Sequence, residues 1–318
     1  MSDAFSWHGG RLDAARALYG DRREGWVDLS TGLNPVPWPV ARAPAWDWAA
    51  LPSVAALAGL EQVAARVFGV DPAHLCTVPG SEIALRLLPT ILPGPGRHIA
   101  PAYRSHGAVF PASDGSGTLL LANPNNPDGR CRSRAEMDAL LHRQEQANQW
   151  LIVDEAFADA RPEHSMADAV ANGRRLIVLR SFGKFFGLGG VRLGFVLGPV
   201  EVIADYRRRL GDWPVHAAAL AIGTAAYADG EWIASARADI DARAHRLARL
   251  LCGHGFAPVG DCPLFTLIET DAAPQLFERL ARDGVLTRRF DYAPRWLRLG
   301  LPGGEDQWAR LDKALGDA

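Results

Sequence analysis

Residues 174–198 read RRLIVLRSFGKFFGLGGVRLGFVLG. Its two ends are apolar runs of the kind that form strands buried on both faces, and its middle is a stretch of Gly, Phe and Leu that carries one lysine. Between residues 180 and 198 the only cations besides Lys184 are Arg180 and Arg192. A lysine desolvated among apolar neighbours and next to another cation loses proton affinity, which makes its amine a nucleophile toward an aldehyde. The alternative is a loop lysine that snorkels to solvent.

Outward from this stretch, strand and helix patterns alternate. SVAALAGLEQVAARVFG, SEIALRLLPTIL and SRAEMDALLHRQEQAN read as helices; LCTVPG, RHIAPAY, TLLLAN and QWLIVDEAF read as strands. The alternation predicts an α/β fold with a mostly parallel sheet sandwiched by helices, right-handed crossovers, and function at the carboxyl ends of the strands. After Pro214 two long Ala/Arg helices, LFTLIET, VLTRR, WLRLGLP and a final helix from Glu305 predict a smaller α+β domain. The expected organisation is an N-terminal arm over residues 1–45 that packs with the small domain, a large domain over 46–212 and a small domain over 213–318. Because the arm is rich in Gly, Pro and Trp, it is expected to be extended and ordered.

With 318 residues, a net charge of -2 and no run of like charge, the chain offers no footprint for nucleic acid or an anionic membrane. A small molecule is the expected partner. No window approaches a membrane span and no basic-then-apolar leader opens the sequence, so a cytoplasmic protein is expected. Cys76, Cys131, Cys252 and Cys262 have neither CxxC spacing nor a nearby His cluster; no metal site and no disulfide framework are expected.

Several motifs fall at strand ends. Asp154 closes LIVD, where a buried carboxylate needs a partner; a protonated pyridine nitrogen, a helix N-terminus or a salt bridge would each serve. Glu155, the next residue, is given a structural role. Ser181, Arg192 and the Gly80-Ser81 strand-to-helix junction offer hydroxyl, guanidinium and backbone N–H donors suited to a phosphate. NPNNPDG, residues 123–129, is a turn whose two Asn-Pro pairs would hold Asn126 rigidly toward the sheet crevice.

The ordered set GS, PxY, NPNNPDG, DEAF and SFGK followed by RLG resembles, over nearly the whole chain, the fold-type I family of pyridoxal 5'-phosphate (PLP) enzymes that comprises the class I and II aminotransferases. The resemblance implies an aspartate aminotransferase-like fold, with PLP held covalently by Lys184. It further implies Asp154 on the pyridine nitrogen, Asn126 on the phenolic oxygen, Tyr103 stacked on the ring, and Ser81, Ser181 and Arg192 around the phosphate. One position departs from the aminotransferase pattern D-x-A-Y, because Phe157 stands where the tyrosine would be.

DEAF, together with the opening HGG and D-x-S-x-x-x-N-P, is similar to the threonine-phosphate decarboxylase branch of cobalamin biosynthesis. That branch implies a PLP-dependent carboxy-lyase acting on L-threonine O-3-phosphate; histidinol-phosphate or related amino-acid aminotransferases are the alternative. It also implies substrate contacts: His8 with the Gly9 and Gly10 amides on the phosphate, Arg298 on the carboxylate, Arg288 on either, and Asn34. Arg289 and Arg295 are assigned to solvent. A homodimer is implied as well, with Trp38, Trp46 and Trp48 suited to the contact or to packing on their own chain.

Overall fold

The computed structural model describes residues 5–110 and 115–316. In chain order the helices are α1 (Leu12–Tyr19), α2 (Val54–Phe68), α3 (Ser81–Ile91), α4 (Arg104–Val109), α5 (Arg134–Gln146), α6 (Phe182–Phe185), α7 (Val200–Leu210), α8 (Ala217–Ala228), α9 (Gly230–Gly253), α10 (Ala273–Arg282) and α11 (Glu305–Gly316). The strands are β1 (Val27–Asp28), β2 (Leu75–Val78), β3 (Gly96–His98), β4 (Thr118–Ala122), β5 (Leu151–Glu155), β6 (Leu176–Ser181), β7 (Gly194–Leu197), β8 (Pro258–Val259), β9 (Phe265–Glu269), β10 (Val285–Leu286), β11 (Arg288–Arg289) and β12 (Trp296–Gly300). They divide between two compact units.

One unit, made of Pro37–Asn126 and Cys131–Ser235, is built on a six-stranded sheet of order β2-β7-β6-β5-β4-β3. Strands β3 to β6 pair in parallel, while β7 is antiparallel to both of its neighbours, so β2 again runs in the direction of β6. Every residue of β4 and β5 is buried, the physical reason that TLLLA and LIVDE lack an inside-outside alternation. On one face Leu85, Leu88, Ile152, Ile177, Leu179 and Tyr206 join a single apolar cluster. The helix starts follow local chemistry: the Ser53 hydroxyl accepts the Ala56 N–H at α2, and Ser133 with Glu136 forms a capping box at α5. Such a cap contributes about 1 kcal/mol.

The other unit comprises the described residues up to Val36, Pro127–Arg130, and those from Ala236 onward. Its four-stranded sheet, β11-β12-β9-β8, is antiparallel throughout, and β1 pairs in parallel with β10. In the β11–β12 ladder Arg288 is the direct partner of Arg298.

Two features differ from the expected organisation. Residues 12–19 are helical, with Ala15 fully buried, so the arm is not extended throughout; Leu12, Ala15 and Tyr19 already carry a helical spacing. The units also part at Val36 and Ser235 rather than near 45 and 212. Trp38 explains the first shift, because it is buried with its indole N–H on Asp229 Oδ2 at 3.1 Å and its backbone N–H on the Phe186 carbonyl at 2.9 Å. Packing of α8 against α2 explains the second. Residues 1–4 of the expected arm lie outside the described residues. Among the described residues no helix is long and apolar enough to cross a membrane, and no cluster of His, Cys, Asp and Glu is placed to hold a metal ion.

Candidate active site

Because β2, β3, β4, β5 and β6 run the same way, their carboxyl ends share one edge of the sheet. Ser81 follows β2, Tyr103 follows β3, Asn126 follows β4, Asp154 lies in β5, and Ser181 ends β6 three residues before Lys184. Arg192 precedes β7, which starts at that same edge. The seven residues expected around a cofactor are thus gathered by topology.

Lys184 sits on the four-residue helix α6, whose neighbours Phe182, Phe185 and Phe186 are buried while Lys184 itself is only partly covered. Those rings anchor the segment: Phe182 stacks on Phe186 at 4.5 Å, and Phe186 stacks on Trp232 at 5.5 Å. The Lys184 Nζ lies over the Phe157 ring, 5.6 Å from its centroid. The side chain that replaces the tyrosine of the aminotransferase pattern therefore meets the lysine as an aromatic face without a hydroxyl.

Arg180, the cation four residues before the lysine, does not press on it as a bare charge. It is buried with its Nη1 on Glu155 Oε2 at 2.8 Å and its Nη2 on Asp159. Burial by itself would lower the guanidinium pKa, but the Asp159 and Glu155 charges outweigh it and push the pKa up. Glu155 also accepts from the Ser165 hydroxyl and the Met166 N–H, both at 2.6 Å. It is a structural carboxylate.

Asp154 is held from two sides. Its Oδ1 accepts the Ala156 N–H at 3.1 Å, and its Oδ2 faces the Nε2 of His106, fully buried on α4, at 3.0 Å. A carboxylate has no proton to give, so the imidazole N–H is the donor. The Tyr103 ring meets the His106 ring edge-on with centroids 5.8 Å apart. Burial, foremost, pushes the Tyr103 phenol up to about 12, which keeps it neutral. His106 was not singled out from the sequence. The signal was there, since Tyr103 and His106 are three residues apart, the spacing that puts two side chains on one helix face.

The NPNNPDG turn is fixed by its first residue. The buried Asn123 side chain donates to the Arg132 carbonyl at 3.1 Å and accepts the Arg132 N–H at 2.8 Å, while its backbone N–H reaches the Asp154 carbonyl at 3.0 Å. Asn125 donates to the Pro101 carbonyl at 3.0 Å. Asn126 is thereby carried on a turn tied to β5 and to the segment before Tyr103.

At the opposite end of this row Gly80 has a φ of +86° and caps α3. That φ is one L side chains rarely adopt, and a Cβ there would lie 2.9 Å from Arg192 Nη2 and push the guanidinium away from the helix N-terminus. The donor set is thus sorted for one kind of ligand. An amine for an aldehyde, a carboxylate for a ring nitrogen, and a guanidinium with helix N–H groups for a phosphate fit a phosphorylated pyridine aldehyde.

In the other unit Arg298 is buried, donates through Nη2 to the Ser30 carbonyl at 2.9 Å and lies 4.7 Å over the Phe265 ring. Burial first, and the neighbouring Arg288 charge second, lower its pKa to about 10. The Arg288 terminal nitrogens donate to the carbonyls of Phe5, Ser6 and Trp7 at 2.7–2.9 Å. The Gly10 N–H donates to Ser30 Oγ at 2.7 Å, so of the two glycine amides expected on a phosphate this one is already engaged. The Asn34 Oδ1 accepts the Val36 N–H at 3.0 Å.

The family model described as aminotransferase class I and II matches residues 43–314. The chain is 38% identical to a threonine-phosphate decarboxylase from Sinorhizobium sp., covering 98% of this chain and 96% of that one. It is 39% identical to the threonine-phosphate decarboxylase of Pseudomonas aeruginosa, covering 97% and 96%. The fold matches the crystal structure of histidinol-phosphate aminotransferase from Sinorhizobium meliloti in complex with pyridoxal-5'-phosphate, with a TM-score of 0.81, 20% identity, and coverage of 96% and 93%. A family match over most of the length, with Lys184, Asp154, Ser81, Ser181 and Arg192 at one sheet edge, leads to one conclusion: the chain belongs to the class I and II aminotransferase family.

Proposed function

We propose that this protein is a PLP-dependent carboxy-lyase that decarboxylates L-threonine O-3-phosphate to (R)-1-amino-2-propanol O-2-phosphate, a step of cobalamin biosynthesis. The observation that carries the reading is identity of 38–39% to two threonine-phosphate decarboxylases along almost the entire chain. Phe157 against Lys184 supports it, because the aminotransferase pattern puts a tyrosine hydroxyl there.

Lys184 would hold the cofactor's aldehyde carbon, Asp154 its ring nitrogen, Asn126 its phenolic oxygen and Tyr103 its ring face, with Ser81, Ser181, Arg192 and the first N–H groups of α3 on its phosphate. When bound, PLP supplies an electron-withdrawing protonated pyridine that accepts the electron pair released at the substrate Cα. Asp154, positioned by His106 and the Ala156 N–H, favours that protonated form. Reaction choice would then rest on how this chain's anionic-group anchors orient the substrate. Arg298 would take the α-carboxylate, and His8 with the Gly9 N–H the substrate phosphate, so that both anionic ends of the substrate would be anchored. The Lys184 ammonium would give a proton to Cα in place of the departing carboxyl group.

The test is incubation with L-threonine O-3-phosphate in the absence of any keto acid. Release of CO2 with the aminopropanol phosphate supports the decarboxylase; strict dependence on 2-oxoglutarate overturns it in favour of a histidinol-phosphate or related aminotransferase. The homodimer belongs to the same proposal. Trp38 is buried in its own chain, but Trp48, Leu51 and Val54 are 71%, 67% and 76% exposed, an apolar surface that a second copy would cover. Sedimentation at micromolar concentration showing only monomer would overturn it.

A further inference from the structure

The opening HGG and the D-x-S-x-x-x-N-P pattern are one physical assembly. Asp28 Oδ1 accepts both the backbone N–H of Ser30, at 2.9 Å, and its hydroxyl, at 2.5 Å. The Ser30 hydroxyl, fixed in that direction, has its lone pair on the Gly10 N–H at 2.7 Å. The Ser30 carbonyl accepts Arg298 Nη2 at 2.9 Å and is packed so closely on Gly9 that a Cβ there would come within 2.3 Å of its oxygen. On the other side of His8, Arg288 gathers the carbonyls of Phe5, Ser6 and Trp7. His8 is therefore held between two latches, Arg288 before it and Ser30 after it. Ser30 touches the segment on one side and Arg298 on the other. It joins the group proposed for the substrate phosphate to the group proposed for the carboxylate.

We propose that Ser30, oriented by Asp28, is a positioning residue for the phosphate end of the substrate: it sets the place of His8 and the Gly9 N–H relative to Arg298 without touching substrate itself. The proposal rests on the threonine-phosphate reading above. In Ser30→Ala the Gly10 N–H loses its acceptor and Asp28 keeps only the backbone N–H of residue 30, so the His8 segment is held from the Arg288 side alone while the cofactor set on the other unit is untouched. KM for L-threonine O-3-phosphate is expected to rise about tenfold with kcat within about twofold, the signature of lost ground-state positioning. The absorbance of the bound cofactor is expected to stay the same. Because Ser30 acts through His8 as well as the Gly9 N–H, its effect is expected to shrink in a His8→Ala background. Asp28→Ala, which leaves the Ser30 hydroxyl without the acceptor that orients it, serves as the second variant should Ser30→Ala fail to fold, and is expected to raise KM in the same way.

An unchanged KM in Ser30→Ala overturns the proposal, as does an equal rise with and without His8, or an altered cofactor spectrum. Wild-type turnover of the same substrate without a keto acid is the control. Should that fail, the substrate reading is at fault, and the latch is decided by amide exchange at Gly10 in the full-length protein. Exchange at least about tenfold faster in Ser30→Ala supports positioning by Ser30, in line with the loss of one hydrogen bond; an unchanged rate overturns it.

Discussion

Replacing His106 by leucine removes the N–H donor from Asp154 Oδ2 while keeping a buried side chain of similar bulk. The imidazole is fully buried and the Asp154 side chain is 10% exposed, so water does not easily take the donor's place. Asp154 retains only the Ala156 N–H on Oδ1, a single contact about which the carboxylate can turn. A hydrogen bond to a charged group is worth about 1.5–3 kcal/mol. At about 1.4 kcal/mol per factor of ten, that corresponds to a roughly 10- to 150-fold weaker affinity for the cofactor. The assay is titration of the apoprotein with PLP, followed by absorbance, with thermal melts of both apoproteins as the control for folding. His106→Gln, which keeps a donor, is expected to fall between the two. A Kd within twofold of wild type in His106→Leu would show that the imidazole does not support the carboxylate, and the role given to Asp154 would need revision.

Phe157→Tyr restores the hydroxyl of the aminotransferase pattern beside Lys184. A phenol donating to the cofactor's phenolic oxygen would lower the midpoint of its absorbance titration by about one pH unit, with decarboxylation slowed; an unmoved midpoint argues that the hydroxyl points elsewhere. Arg192→Ala should weaken PLP binding by at least about tenfold and leave binding of unphosphorylated pyridoxal within twofold. Equal loss for both ligands would place the guanidinium away from the phosphate. Arg298 gives a pH dependence whose sign can be worked out. Its folded-state pKa is lowered to about 10, chiefly by burial, so it loses its proton in the native state before it does in the unfolded chain. This group therefore adds to fold stability as pH climbs above 10, while its grip on an anion is lost over the same interval. KM for the carboxylate-bearing substrate should rise through pH 10; a flat KM up to pH 11 would remove Arg298 from the site.

Much of the candidate cofactor end could be read from the chain because each element there states its chemistry locally. The apolar runs of β4 and β5 announce a sheet buried on both faces, and Asp154 and Asn126 stand at the ends of those runs. Lys184 was visible for the same reason, as one cation within a glycine and phenylalanine segment. What escaped notice depends on tertiary placement. His106 matters only because α4 brings it under β5, and the Asp28–Ser30–Gly10 chain joins segments 20 residues apart. The Asp28–Ser30–Gly10 chain leaves no periodic signal, and the three-residue spacing of Tyr103 and His106 does not say what the imidazole meets. The unit boundaries were displaced because contacts of single residues, such as Trp38 with Asp229, decide them, whereas composition changes near 45 and 213 do not. Arg180 is a further case: nothing local says that a cation beside the lysine is neutralised by Glu155 and by Asp159, which lies 21 residues away in the chain.

The central claim is a covalent bond between the Lys184 amine and PLP. Borohydride reduction of the PLP-loaded protein, followed by peptide mass spectrometry, should place the reduced pyridoxyl adduct on Lys184 alone, and Lys184→Ala should take up none. An adduct on the only other lysine, Lys313, or no reducible adduct at all, would contradict the account.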